Sequence, residues 1–188
     1  MEATGFVLAG GESTRMGRDK ALLPYRGTTL LEYIASIVRQ AAGTVTIIGD
    51  PGRYRDVGYP VCPDQIPQCG PIAGIFTALS LTASDWNLVV ACDMPMLSAP
   101  ALRKLIDRSF QSPGNCIVGA GLGGEPQPLC AVYHRRCLPR LEQAIRDKRF
   151  RMKGLVAELN AEHVPLDPSM LANINTPGEW ARFEDQPA

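Results

Sequence analysis

Neither sign of charge is in surplus in this chain: 19 Lys and Arg balance 19 Asp and Glu. A balanced chain has no global field toward nucleic acid or an anionic membrane, so any anionic ligand must be held by local groups. No apolar run approaches the ~20 residues of a transmembrane helix. The N-terminus lacks the basic region and long apolar segment of a signal peptide. Internal repeats and low-complexity tracts are missing too. The six cysteines, at 62, 69, 92, 116, 130 and 137, form no C-x-x-C pair, which argues against a zinc knuckle. Without an export signal all six read as reduced thiols of a cytoplasmic protein. Cys92, Cys116 and Cys130 sit in apolar runs, where a thiol behaves as a small hydrophobe.

What is present is 188 residues with 45% hydrophobic and 20% charged side chains. That suits one domain over 1–188 with a proper core. Residues 29–42 carry Leu30, Leu31, Ile34, Ile37, Val38 and Ala41 at helical spacing, and Gly43 follows as a stop. The β-branched 45–48 reads as a strand, 60–62 as a short one, and 75–81 as helical. The uninterrupted apolar run 87–92 predicts a central parallel strand covered on both faces. Ser98 caps a helix over 100–110. Strands follow at 116–118 and 129–133, and a helix at 138–148. Thr176, Pro177 and Glu179 form a capping box that opens a last helix through 183. Strands alternating with helices predict a three-layer α/β/α, Rossmann-like domain with a mostly parallel sheet.

In such sheets ligands collect beyond the carboxyl ends of the strands. After the strands stand the glycine loop 10–17, Gly49-Asp50, Asp64, Asp93 and the loop 125–128. All but the last are expected on one edge. The stretch 7–20 breaks from a short apolar run into glycines, then supplies Arg15 and Lys20. Glycines let backbone N–H groups approach an anion; Arg15 offers a planar fork and Lys20 a mobile point charge. Neither the P-loop nor the dinucleotide spacing fits, so the stretch alone reads equally as an ordinary Gly-rich turn. Asp93, just past a buried strand and before Met94-Pro95, offers a hard oxygen suited to Mg²⁺, or caps a turn. Asp64 can read a base amine, hold a ribose or cap its own turn. His134 and His163, the only histidines, read as surface or second-strand features away from this edge.

Taken together, these pieces resemble a known family. Leu8-Ala9-Gly10-Gly11-x-Ser13-x-Arg15-Met16-Gly17-x-Asp19-Lys20 is similar to the signature loop of nucleotidyltransferases. Asp64 before Gly70-Pro71-Ile72-Ala73-Gly74, then Asp93-Met94-Pro95, Gln127-Pro128-Leu129 and Asn173-Ile174-Asn175-Thr176-Pro177, follow in the order of the molybdenum cofactor guanylyltransferase family. The resemblance implies that Leu8, Ala9 and Gly10 contact guanine and ribose through backbone groups. It implies that Gly11 through Gly17, with Arg15 and Lys20, hold the triphosphate, that Asp64 and Gly70 belong to the nucleotide site, and that Asp93 binds Mg²⁺. One family position that is often Asn stands here as Gly49, leaving at most a backbone contact.

The implied reaction is attack of the terminal phosphate of molybdopterin, with or without molybdenum (Mo-molybdopterin), on the GTP α-phosphorus, with loss of pyrophosphate. Arg15, Lys20 and Asp93 would be its catalytic groups. Molybdoenzyme targets or other cofactor-biosynthesis proteins are the further partners such a function involves, with no nucleic acid and no membrane. Two other readings stand beside it: a cytidylyltransferase acting on molybdopterin or a sugar or polyol phosphate, and a non-catalytic module that delivers cofactor. Leu-Ala-Gly-Gly at 8–11, rather than the Leu-Ala-Ala-Gly of related cytidylyl enzymes, favours guanine by resemblance. The run 146–153, with five basic residues in eight, reads as a helix end complementing the dipole or as a clamp for the pterin phosphate. A nucleic-acid patch is the weaker reading, since no aromatic platform accompanies it.

Overall fold

The computed structural model describes residues 2–10, 19–66, 68–121 and 123–184. In chain order the elements are β1 (Thr4–Leu8), a 3-10 turn (Lys20–Leu22), β2 (Pro24–Tyr25), β3 (Thr28–Thr29), α1 (Leu30–Ala42), β4 (Thr46–Ile48) and β5 (Val61–Cys62). Then come α2 (Pro71–Ser80), β6 (Trp86–Ala91), α3 (Ala99–Ser109), β7 (Cys116–Ala120) and β8 (Pro126–His134). The chain continues through α4 (Leu138–Arg146), α5 (Met152–Glu158), β9 (Glu162–Pro165) and α6 (Pro177–Glu184). Seven strands form one sheet in the order β5-β4-β1-β6-β8-β7-β9, and β2 with β3 makes a small hairpin outside it. β8 runs antiparallel to both its neighbours, and every other pairing in the large sheet is parallel. The expected three-layer α/β domain is therefore what forms.

The layers follow from side-chain alternation along the strands. In β6, Leu88 and Val90 face one way and pack with Leu30, Ile34 and Leu102 of α1 and α3, while Val89 faces the other with Ile72, Ile75 and Leu141 of α2 and α4. β8 repeats this with Cys130 and Val132 on the first face and Ala131 and Tyr133 on the second. All six residues of β6 are buried, as a central strand covered on both faces requires. All six cysteines are free thiols.

The helix ends obey local chemistry. Thr29 accepts from the Glu32 N–H at 3.2 Å, and the Glu32 carboxylate accepts from the Thr29 N–H at 2.9 Å, a reciprocal capping box. Gly43 closes α1 at φ +81°, a backbone shape glycine takes without Cβ strain. Ser98 caps α3, and the Thr176–Glu179 pair opens α6 as expected. α2 begins earlier than the periodicity suggested, at Pro71, which fits the first helical position because its missing N–H is not needed there.

The sheet corrects one expectation. The connection after β7 was to lie away from the others. Because β8 turns back between β6 and β7, its first residues sit beside the carboxyl end of β6, with Val90 opposite Cys130 and Ala120 opposite Pro126. That connection opens on the same edge as the rest. The hairpin β2–β3, helix α5 and edge strand β9 were not anticipated: the hairpin strands have two residues each, and β9 alternates with no apolar run.

Candidate functional site

A cleft of about 1310 Å³ lies across the carboxyl ends of β1, β4, β5 and β6. Leu8, Ala9, Gly10, Lys20, Asp64, Gly70 and Asp93, all expected from sequence, line it together. Gly11 and Arg15, expected on the triphosphate, lie outside the described residues. A second depression of about 510 Å³ over α3 carries Arg103, Lys104 and Arg108. Each of those cations is already engaged, with the Gln40 carbonyl at 2.7 Å, the Pro165 carbonyl at 2.9 Å and the Glu162 carboxylate.

Lys20 and Asp93 form the polar centre of the cleft. The Lys20 ammonium donates to the Ile174 carbonyl at 2.9 Å, to Asn175 Oδ1 at 3.0 Å and to Asp93 Oδ2 at 3.5 Å. Asp93 is held by β6 and by its own carbonyl, which accepts from the Ile174 N–H at 2.9 Å. Burial raises the Asp93 carboxyl above its ordinary range, and the Lys20 charge opposes that rise. Its other oxygen, Oδ1, is buried with no hydrogen-bond partner among the described residues. An unpartnered buried carboxylate oxygen is costly, and a cation is the partner its chemistry wants. Among the described residues no three His, Cys, Asp or Glu side chains cluster as a metal cage. One carboxylate completed by water and phosphate oxygens is the arrangement Mg²⁺ favours.

The remaining walls use backbone. Ala9 donates its N–H to the Ile48 carbonyl at 2.8 Å, and Leu8 accepts from the Cys92 N–H at 3.2 Å, so both are fixed by the sheet. A Cβ on Gly10 would meet nothing within 4 Å, so that residue faces open space. Gly70 adopts φ +68° ahead of α2, whose N-terminal end faces the cleft with its positive dipole. Gly74, one turn on, has Leu8 side-chain atoms 3.1 Å from where its Cβ would stand, which lets helix and strand approach closely. Asp64 Oδ1 accepts from the Thr77 hydroxyl at 2.9 Å and the Ile66 N–H at 3.2 Å. Of the three roles open to Asp64, turn-capping is therefore realised, with the carboxylate still on the cleft wall.

Gly49 also has a physical account. A Cβ there would stand 2.5 Å from the Ala9 carbonyl oxygen and 2.9 Å from the Tyr54 ring. Any side chain is excluded, and the Gly49 N–H is already given to the Cys62 carbonyl at 2.9 Å. Sequence reasoning gave no role to four groups nearby, Asp19, Arg53, Tyr54 and Asn175. Asp19 caps the 3-10 turn that carries Lys20, and the Tyr54 hydroxyl and Arg53 guanidinium both donate to it. Tyr54 sits in a polar, turn-rich segment with no periodicity to mark it. Asn175 belongs to a motif noticed only by resemblance.

The basic run spans the end of α4 and the start of α5. Arg146 pairs with Glu142 at 2.5 Å, Arg149 with Glu158 at 2.6 Å, and Lys153 with Glu125 at 2.6 Å. Arg146 in the last turn of α4 fits the helix-end reading. Among the described residues none of this run lines the cleft. His134 ends β8 at the far end of the sheet, buried edge-on against Trp86, and His163 is exposed on β9.

The MobA-like NTP transferase domain matches this chain over residues 5–163. A Nostoc sp. protein named "Probable molybdenum cofactor guanylyltransferase" is 34% identical, across 97% of this chain and 91% of its own. The structure of molybdopterin-guanine dinucleotide biosynthesis protein A from Archaeoglobus fulgidus superposes with a TM-score of 0.82 at 24% identity, covering 97% of both chains. Rv0371c from Mycobacterium tuberculosis H37Rv, solved as a complex with manganese, gives 0.72 at 22% identity, covering 99% of this chain and 100% of the other. With Leu8, Ala9, Gly10, Lys20 and Asp93 brought together in one strand-end cleft, this chain belongs to the MobA-like NTP transferase family.

Proposed function

We propose that this protein is a molybdenum cofactor guanylyltransferase, transferring GMP from GTP to the terminal phosphate of molybdopterin and releasing pyrophosphate. The observation that carries the reading is the Lys20–Asp93 pair, with Asp93 Oδ1 buried and without a partner among the described residues, in a cleft that Leu8, Ala9 and Gly10 line. The choice of guanine and of the pterin rests on the names of near full-length relatives.

The chain's own work is alignment and charge. Lys20, held by Ile174 and Asn175, meets the developing negative charge of the phosphates. The backbone at 8–10 and the α2 N-terminus fix the nucleoside and an anionic group. Asp93, with Oδ1 lacking a partner among the described residues, would hold a divalent cation, for which we favour Mg²⁺. When bound, such an ion neutralises phosphate oxygens and helps orient attack. No side-chain base is required, because the attacking phosphate is already ionised at neutral pH. That agrees with both histidines standing off the cleft. The six free thiols fit a cytoplasmic site of action, and no helix among the described residues is long and apolar enough to cross a membrane.

The test incubates the protein with Mg²⁺, molybdopterin and each NTP in turn. Pyrophosphate release with GTP alone is expected. Release with CTP instead would transfer the protein to the cytidylyl reading, and binding of nucleotide without turnover would leave only a carrier.

A further inference from the structure

We infer that Tyr54 is a positioning residue for the nucleotide, acting through Asp19 on Lys20. This rests on the reading that the cleft takes an NTP. Asp19 lines the cleft one residue before Lys20, where a bare carboxylate would repel a triphosphate. Among the described residues three donors take up that charge. The Ala21 N–H reaches Oδ1 at 3.0 Å, while the Tyr54 hydroxyl at 2.9 Å and the Arg53 guanidinium at 3.3 Å both reach Oδ2. The first is local and caps the 3-10 turn that presents Lys20. The other two come from the segment that follows β4, the strand paired with β1.

Of those two, Tyr54 is the fixed one. Its side chain is 2% exposed, and its ring fills the space beneath Gly49, 2.9 and 3.0 Å from where a Cβ would stand. Burial and the Asp19 charge keep its hydroxyl protonated well above the usual phenol range, so it remains a donor. Arg53 is half-exposed, at 51% for its side chain, and a solvated ion pair holds geometry weakly. The absence of a side chain at Gly49 and the aim of Lys20 are thus one arrangement: the ring that needs the glycine carries the hydroxyl that orients Asp19.

The test measures GTP affinity by calorimetry for the wild type, Tyr54→Phe, Lys20→Ala and the double variant. Tyr54→Phe keeps the ring and its packing, and an unchanged circular dichroism spectrum checks the fold. It is expected to weaken GTP about 5- to 10-fold in the wild-type background, the scale of one lost ordinary hydrogen bond acting indirectly on the ligand. In the Lys20→Ala background it should change affinity less than about twofold, since coupled residues are non-additive. An equal loss in both backgrounds, or no loss in the wild type, overturns the inference while leaving the nucleotide site standing. A wild type that binds no GTP instead overturns the reading beneath it.

Discussion

Lys20 Nζ stands 3.5 Å from Asp93 Oδ2 across 73 residues of chain, while Asp93 Oδ1 beside it has no hydrogen-bond partner among the described residues. One oxygen therefore faces the lysine, and on our proposal the other would hold the divalent cation. The lysine's two shorter bonds go to Ile174 and Asn175, so Lys20 stays anchored if a cation draws the carboxylate away.

Asp93→Asn should cut Mg²⁺-dependent transfer about 10²–10³-fold, the scale of removing one preorganised charge-stabilising group. The protein should stay folded, because the amide fits the same space and Lys20 keeps its other acceptors. Pyrophosphate release assays across a Mg²⁺ titration check this; near-normal turnover would remove Asp93 from the metal site.

Lys20→Ala should bind GTP more weakly, by about tenfold or more given a charge-assisted contact to phosphate, in a well-folded protein. Unchanged affinity in a nucleotide titration would take Lys20 out of the site.

The same carboxyl makes a pH prediction. Burial raises the Asp93 pKa above 3.8, against the pull of Lys20. Between 3.8 and the raised value the native state holds a proton that the unfolded chain has lost, so this group's contribution to stability improves as pH falls through the folded value. Its cost is full above the raised value. Urea unfolding should find Asp93→Asn at least as stable as the wild type near pH 7.5, with the difference closing toward pH 4. A difference that grows on acidification would contradict the sign.

Gly49→Ala places a Cβ 2.5 Å from the Ala9 carbonyl oxygen and 2.9 Å from the Tyr54 ring. The expected cost is about 1–3 kcal/mol of stability from overpacking, with weakened GTP binding because Ala9 and Tyr54 both border the cleft. Gly10→Ala is the control, since its Cβ meets nothing within 4 Å; a thermal melt should leave it near wild type. Equal melting temperatures for both variants would show that the crowding at Gly49 relaxes freely.

Thr29→Ala removes the side chain that caps α1 and should cost about 1 kcal/mol. For a chain of this size that is roughly 2–4 °C in Tm. Glu32, whose pKa is lowered first by the Thr28 hydroxyl and then by the Thr29 N–H, supports the same end. Its contribution is present above the ordinary carboxylate pKa and lost as pH falls through the lowered one. Scanning calorimetry at pH 7 tests the cap, and a Tm unchanged by the substitution would refute it.

The elements that local pattern governs were legible in the sequence. The apolar spacing along α1 and the Thr29–Gly43 brackets define that helix without help from the rest of the chain. The continuous apolar run at β6 specifies burial on both faces. Strand ends carrying Gly10, Asp64 and Asp93 follow, because a parallel sheet must collect its loops at one edge. Tertiary structure decided the rest. β8 reverses because it pairs between two parallel strands, a choice made by partners distant in sequence. Tyr54 acts on Asp19 across 35 residues, and Asn175 on Lys20 across 155, and no spacing along a chain encodes a hydrogen bond between separate walls. The sequence by itself determined which groups reach the edge of the sheet, through periodicity and capping. Only packing decided which oxygen of Asp93 meets Lys20 and which has no partner among the described residues, because that depends on where Lys20 and the 173–175 segment meet in space.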